Sequence, residues 1–294
     1  MSLLELFCHI DDFCQNFEKV WQSELLESGI RRRRRQSNLC LSEMLTIVVH
    51  FHQSQYRHFK AYYTKHVQTH LAAEFPELVS YSRFIQLLPS IVVPLCAYLN
   101  ACSGDCTGIS FIDSTGLAVC ENRRIQRHKV FRGIAERGHS STGWYFGFKL
   151  HLVVNDCGAI LAGCITPANV DERGCTPDLS LKLWGKLFGD KGYLSKKLFS
   201  ELFERGLELI TKLRRNMKNQ LMNLSDKLLL RKRAIIETIN DQLKKISQIE
   251  HSRHRSIVGF MTNVLAGLIA YSHQAKKPSL HLRETLVLEP LIQN

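Results

Sequence analysis

The chain has 294 residues, enough for one large domain or two smaller ones, and its 45% hydrophobic and 22% charged content is ordinary for a globular protein. Its formal net charge of +12 is less ordinary and favours a polyanionic partner, because each phosphate neutralised by a cation releases counterions. No stretch approaches the roughly 18 apolar residues of a transmembrane helix, and the start, with Glu5, Asp11 and Asp12, lacks the basic region of a signal peptide; the expectation is a cytoplasmic protein without a membrane partner.

Residues 1–103 read as helices. Leu3 to Leu26 is amphipathic, with Leu4, Phe7, Ile10, Phe13, Phe17 and Trp21 near helical spacing. Next come Arg31, Arg32, Arg33, Arg34 and Arg35, a solvated basic loop or a nucleic-acid contact. Ser42 is placed to cap a helix that runs to His50. Tyr56 to Ala73 is rich in Tyr, His and Lys, Ser82 to Leu88 keeps the helical pattern, and Pro89 and Pro94 punctuate the next segment.

The character changes near Gly104. Thr107 to Ile112 is a β-compatible apolar run ending on Asp113. Trp144 to Val154 alternates, with Phe148, Leu150 and Leu152 on one face and Lys149, His151 and Val153 on the other. Asn155-Asp156-Cys157-Gly158 has hairpin-turn composition, and Ala159 to Thr166 makes a third strand. Pro177 opens a short helix, Lys186 to Gly189 is a fourth strand ending on Asp190, and Ser195 to Arg205 is a helix closed by Gly206. A fifth strand, Leu207 to Leu213, precedes helices at Ser225 to Ile249 and Ile257 to His273, with a tail from Lys276. The order predicts an α/β fold: a mixed five-stranded sheet flanked by helices, after an all-helical N-terminal part.

Ten cysteines run from Cys8 to Cys175 without a CxxC pair. Cys102, Cys106, Cys120 and His128 have the order of a zinc knuckle, but reduced thiols are the commoner state in such a chain, so neither structural zinc nor disulfides are expected.

Asp113 and Asp190 each follow an apolar strand, where ligands collect in open α/β sheets. Singly, each reads as a turn or helix-cap aspartate. Together, at the ends of strands that could be neighbours, they imply a cation between them, since paired carboxylates otherwise repel. Glu237 lies in an apolar helical stretch with Arg233 four residues before it and Lys244 seven after, all within roughly 40° of one helix face. That row suits an acid between phosphate-binding cations, or an ordinary Arg233–Glu237 surface ion pair. Three oxygen donors suit Mg²⁺ or Mn²⁺, and two such ions about 4 Å apart would serve in-line phosphoryl transfer.

The segments FIDST at 111–115, GWYFGFKLHLVVND at 143–156, ITPANVDER at 165–173, GDKGY at 189–193, RAIIETINDQLKK at 233–245 and IEHSRHRS at 249–256 carry a resemblance. The chain resembles the DDE transposases of bacterial insertion sequences, and is most similar to the insertion sequence 982 family. The resemblance covers most of the chain and implies an RNase H-like catalytic domain whose three metal-binding acids are Asp113, Asp190 and Glu237. Related transposases surround the helical acid with a Tyr, Arg, Glu and Lys signature. Arg233, Glu237 and Lys244 match it, whereas the Tyr position holds Leu230. The connector between the fifth strand and this helix is too short for the insertion domain of some relatives. The implied organisation is a DNA-binding helical domain at 1–103, a catalytic domain at 104–275 and a tail at 276–294.

The implied activity is cleavage at the ends of an insertion element and joining of the freed 3′-hydroxyl to target DNA with Mg²⁺ or Mn²⁺, two ions. The partner is double-stranded DNA, the element's terminal inverted repeats and the target, bound by a homodimer or larger assembly in a bacterial cytoplasm. Lys149 and His151 either touch that DNA or form the solvated face of an edge strand. Arg253 and Arg255, after the catalytic helix, suit phosphate binding or a basic connector. Asp171 reads as a turn or helix-cap residue. The rival readings are an RNase H-like nuclease that cuts without joining, and a DNA-binding derivative that no longer catalyses.

Overall fold

Two stretches of apolar patterning, one at helical spacing and one at strand spacing, build two separate cores. The computed structural model describes residues 1–27, 38–140, 143–212, 221–251 and 254–282. They divide into two compact units: residues 1–102, 245–249 and 254–275 in one, residues 103–244, 250–251 and 276–282 in the other.

The helical unit contains α1 (Leu3–Glu27), α2 (Leu41–Gln53), α3 (Phe59–Tyr62) running through a π turn into α4 (Gln68–His70), α5 (Tyr81–Ala101) and α10 (Ile257–Ser272). The cap of α2 is Cys40 rather than Ser42: its sulfur accepts from the Glu43 amide, while the Glu43 carboxylate accepts from the Cys40 amide at 2.8 Å. Ser42 is buried in the first turn. Leu6, Ile10, Leu45, Ile47, Tyr62, Tyr63, Phe84, Ile91 and Leu95 form the core, joined by Leu265, Ala266, Ile269 and Ala270 of α10.

The sequence places α10 in the second domain, within 104–275, but it packs here instead. It buries residues on nearly all its faces, Phe260, Val264, Leu265, Leu268 and Tyr271 among them, so it needs helices around it rather than one face of a sheet. Contrary to expectation, α5 has the length and apolar composition of a membrane span. Its Phe84, Leu88, Ile91, Leu95 and Tyr98 are accounted for by the helical core.

The second unit is a curled mixed sheet of six strands: β1 (Ile109–Cys120), β2 (Glu136–Ser140), β3 (Gly143–Asn155), β4 (Ile160–Pro167), β5 (Gly185–Gly189) and β6 (Leu207–Thr211). β1 and β3 are antiparallel, with Asp113 opposite Leu152 and Ser114 opposite His151. The far edge of β3 is shared, its first half pairing with β2 and its second half with β4. On the other side of β1, β5 and then β6 add in parallel. An antiparallel meander extended by two parallel strands with helical crossovers is the RNase H-like arrangement.

The sixth strand, β2, is the one the sequence hides. Glu136-Arg137-Gly138-His139-Ser140 has no apolar alternation and is a strand because β3 offers it an open ladder. The turn expected at Asn155–Gly158 closes β3 onto β4, with the Asn155 side chain accepting from the Cys157 and Ala159 amides. Between strands lie α6 (Glu172–Leu179) and α7 (Lys196–Glu204), followed by α8 (Leu224–Lys232) and α9 (Ala234–Lys245). Gly206, at φ +78°, closes α7 with a left-handed residue, as its position predicts.

Ile112, Val153, Leu179, Leu183, Leu187, Tyr193, Leu198 and Leu202 make the core between one sheet face and α6 and α7. The single helix expected over Ser225–Ile249 is two, α8 and α9, separated at Arg233.

Candidate active site

β1 does not stop at Asp113, as its apolar run suggests, but continues to Cys120. Its parallel partner β5 does stop, at Gly189, and the pairing of Phe111 with Phe188 puts Asp113 level with Asp190, two residues further along each chain. Asp113 therefore lies beyond the carboxyl end of β5 on a strand that overruns it, with Asp190 directly after that end. The Asp190 carboxylate accepts from the Gly192 amide at 2.7 Å, which fixes it across the GDKGY turn.

α9 brings the third acid. Arg233, at the break before α9, directs its guanidinium to Asp113 Oδ1 at 3.4 Å and to Glu237 Oε1, one turn on. Asn240, a further turn along the same face, donates to Asp113 Oδ2 at 3.1 Å. The Arg233–Glu237 pair is thus real, but only the Glu237 side is open: its side chain is 56% exposed, against 16% for Arg233. A largely buried guanidinium touching two carboxylates is part of a charge cluster, which an ordinary surface ion pair is not.

A fourth acid, Glu172, is a residue that sequence reasoning passed over. Its neighbour Asp171 is the helix cap, accepting from the Arg173 amide at 2.9 Å, and the Arg173 hydrogen bond holds its carboxyl down at about 2. Capping by Asp171 leaves Glu172 in the first turn of α6, where it accepts from Ser114 Oγ at 2.6 Å and lies 3.6 Å from the Lys149 ammonium. A Cβ on Gly192 would stand 2.9 Å from both Asp190 Oδ1 and Glu172 Oε2, so the glycine is what lets these two carboxylates share one space. Its place in the family-like segment ITPANVDER, directly after Asp171, is the signal the sequence carries for Glu172.

Burial pushes the Asp113 carboxyl up from 3.8 to about 7; Arg233 opposes the rise, and the negative charges of Asp190, Glu172 and Glu237 add to it. Tyr193, fully buried beside these acids, is also driven upward by burial, and its hydroxyl has no hydrogen-bond partner. Oxygen donors from β1, the end of β5 and α9 are the donor type of a hard divalent ion such as Mg²⁺ or Mn²⁺, although among the described residues their oxygens are not all within 4.8 Å of one another.

The other expected site residues fare differently. His151 is fully buried and β3 is an interior strand, so this residue is neither a DNA contact nor on a solvated edge face. Lys149 is largely covered, its ammonium held by Val170 O at 3.0 Å and by Glu172. Lys244 reaches Gly116 O at 2.5 Å and Glu250 at 3.1 Å, and Glu250 in turn accepts from the Ala118 amide. Arg255 is exposed and belongs to the helical unit. Arg31 to Arg35 and Arg253 lie outside the described residues. Leu230, at the family's Tyr position, is buried near the end of α8.

No curated protein sequence matches this chain. A cryo-EM structure of a piggyBac transposase synaptic complex with hairpin DNA is similar at 10% identity and a TM-score of 0.46, over 91% of this chain and 72% of that one. Residues 103–257, more than half of the chain and including Asp113, Asp190 and Glu237, match the family model for the transposase DDE domain. The chain belongs to that family of DDE transposases.

Proposed function

We propose that this protein is a DNA transposase of the insertion-sequence kind, nearest the insertion sequence 982 family. In this reading it hydrolyses the bond at an element end and joins the freed 3′-hydroxyl to target DNA. The observation that carries it is the gathering of Asp113, Asp190, Glu172 and Glu237 at the end of β5, with Arg233 touching two of them. Acids whose charges act on one another, as those of Asp190, Glu172 and Glu237 act on Asp113, favour positive charge among them, and a polyanionic substrate needs it again at the reacting phosphate.

Asp113, Asp190 and Glu237 would hold Mg²⁺ or Mn²⁺, two ions in the loaded enzyme, which supply charge neutralisation for the attacking and leaving oxygens. The protein's own part is positioning. Asp113 would hold the ion in its ionised form, and Asn240 orients it by donating to Oδ2. Glu172 stands beside Asp190 across Gly192 and is fixed by Ser114 and Lys149. Arg233, held among these acids, would place its positive charge beside the reacting phosphate. Double-stranded DNA, both terminal repeats and target, is assigned to the helical N-terminal part and to the basic residues Arg31 to Arg35, Arg253 and Arg255, and pairing of two ends calls for a homodimer or larger assembly.

Purified protein with labelled element-end DNA and Mg²⁺ or Mn²⁺ tests this. Strand-transfer products that disappear in Asp113→Ala, Asp190→Ala and Glu237→Ala are the expected result. Cleaved ends without any joined product would leave a nuclease instead, and activity that survives all three substitutions would remove the site.

A further inference from the structure

On the sheet face opposite Asp113, His151 of β3 pairs in register with Cys164 of β4, and Cys175 of α6 lies over them. We infer that His151, Cys164 and Cys175 form a second metal site, specific for a thiophilic divalent cation of the Zn²⁺ class. Nδ1 or Nε2 of the histidine and the two sulfurs all lie within 4.8 Å of one another. A zinc site with bonds of about 2.0 Å to nitrogen and 2.3 Å to sulfur needs donors roughly 3.5 to 4 Å apart. The side chains have only to draw in by about an ångström or less.

The histidine supplies the independent sign of a ligand. His151 is fully buried, and its Nε2 is engaged at 2.8 Å by Thr166 Oγ1, while its buried Nδ1 makes no hydrogen bond of good geometry and the Cys175 thiol is the polar side chain beside the ring. With the Thr166 hydroxyl accepting from Nε2–H, the Nδ1 lone pair is free, the arrangement seen when a metal-ligating imidazole is held from behind; metal binding would select this tautomer. A cation at Nδ1 satisfies that nitrogen, for which the metal-free protein offers only a thiol at poor geometry. Binding would release the thiol protons of Cys164 and Cys175. Sulfur donors separate this site chemically from the all-oxygen cluster of the carboxylates.

The site also has something to do. α6 is eight residues long and contains Gly174 and Pro177, so its own propensity holds it poorly. A metal bridging Cys175 to the β3–β4 ladder would pin the helix three residues after Glu172, fixing that acid in the first turn.

The test is a Co²⁺ titration of the purified full-length chain after chelation and under reducing conditions. The expected spectrum has a sulfur-to-cobalt charge-transfer band with tetrahedral visible bands, saturates at one ion per chain and is erased by Zn²⁺. Cys164→Ser and Cys175→Ser each abolish the band, and Thr166→Val weakens binding about 10-fold. Circular dichroism establishes that the variants are folded, and the wild-type titration stands without them. A folded wild-type protein that gives no thiolate band overturns the inference. So does a band that persists in the double cysteine variant, or a Cys164–Cys175 disulfide in protein isolated without reductant. Because Mg²⁺ at the carboxylates gives no thiolate band, failure here is distinct from failure of the transposase reading.

Discussion

Replacing Asp113 with asparagine should stabilise the metal-free protein while destroying its chemistry. The Asp113 carboxyl is raised to about 7 from 3.8, so the folded state binds a proton that the unfolded state has released. Stability therefore falls as pH rises from about 4 to about 7 and levels off above, opposite in sign to the usual salt-bridged aspartate. At about 1.4 kcal/mol per pH unit, the full cost of ionising Asp113 is of the order of 4 kcal/mol at pH 8, and a little under half of that is already present at pH 5. Asparagine carries none of it, keeps the size of the side chain, and leaves Arg233 its contact with Glu237. Some of the gain is returned because Arg233 loses its second acid, leaving an expected advantage of about 2 kcal/mol at pH 8. For a domain of this size that is a rise in Tm of roughly 4–8 °C, shrinking toward pH 5. Added Mn²⁺ should reverse the order, since only the wild-type protein gains from binding, by about 2.7 kcal/mol at a hundredfold excess over Kd. Thermal melts of both proteins at pH 5 and pH 8, with chelator or Mn²⁺, make the comparison. An asparagine variant no more stable than wild type at pH 8, or a gap that ignores pH, would refute the account of Asp113 as a buried acid awaiting a cation.

Glu172→Gln keeps the Ser114 contact but removes a charge beside Asp190, and should lower strand transfer about 10- to 100-fold with little change in Tm, read from end-joining rates against a melt. Gly192→Ala places a methyl 2.9 Å from both Asp190 and Glu172, so cleavage should fall more steeply than stability; equal losses would mean that the glycine only eases the turn. Asn240→Asp adds a negative charge at 3.1 Å from Asp113 and should move the acidic limb of the pH–rate profile upward by about one unit, while an unshifted limb would separate Asn240 from Asp113 ionisation.

Periodicity alone made most of the sheet legible, because β3 alternates and the apolar runs at β1, β5 and β6 are short and bounded by turn residues. It could not find β2, whose five residues, none of them apolar, become a strand only against an existing edge. It ended β1 at Asp113 because hydrophobicity stops there, whereas the backbone ladder with β3 continues through Ser114, Thr115 and Gly116 regardless of side chain. Lys149 and His151 look alike as alternating polar residues on β3. Packing makes them unlike: α6 covers both, Lys149 reaching its carboxylate and His151 facing its thiol.

The carboxylates divide in the same way. From the sequence alone come the strand-end placement of Asp190, the spacing of Arg233, Glu237 and Lys244, and the family motif, because local pattern and residue identity are written along the chain. That Asp113 and Asp190 are level, that Arg233 touches both Asp113 and Glu237, and that Glu172 rather than Asp171 turns inward are decided only in three dimensions. Strand register, the break before α9 and the side-chain covering of each face set them, and those depend on residues far apart in the chain. The same reason places α10 with the helices: its apolar surface is visible in sequence, but which core receives it is not.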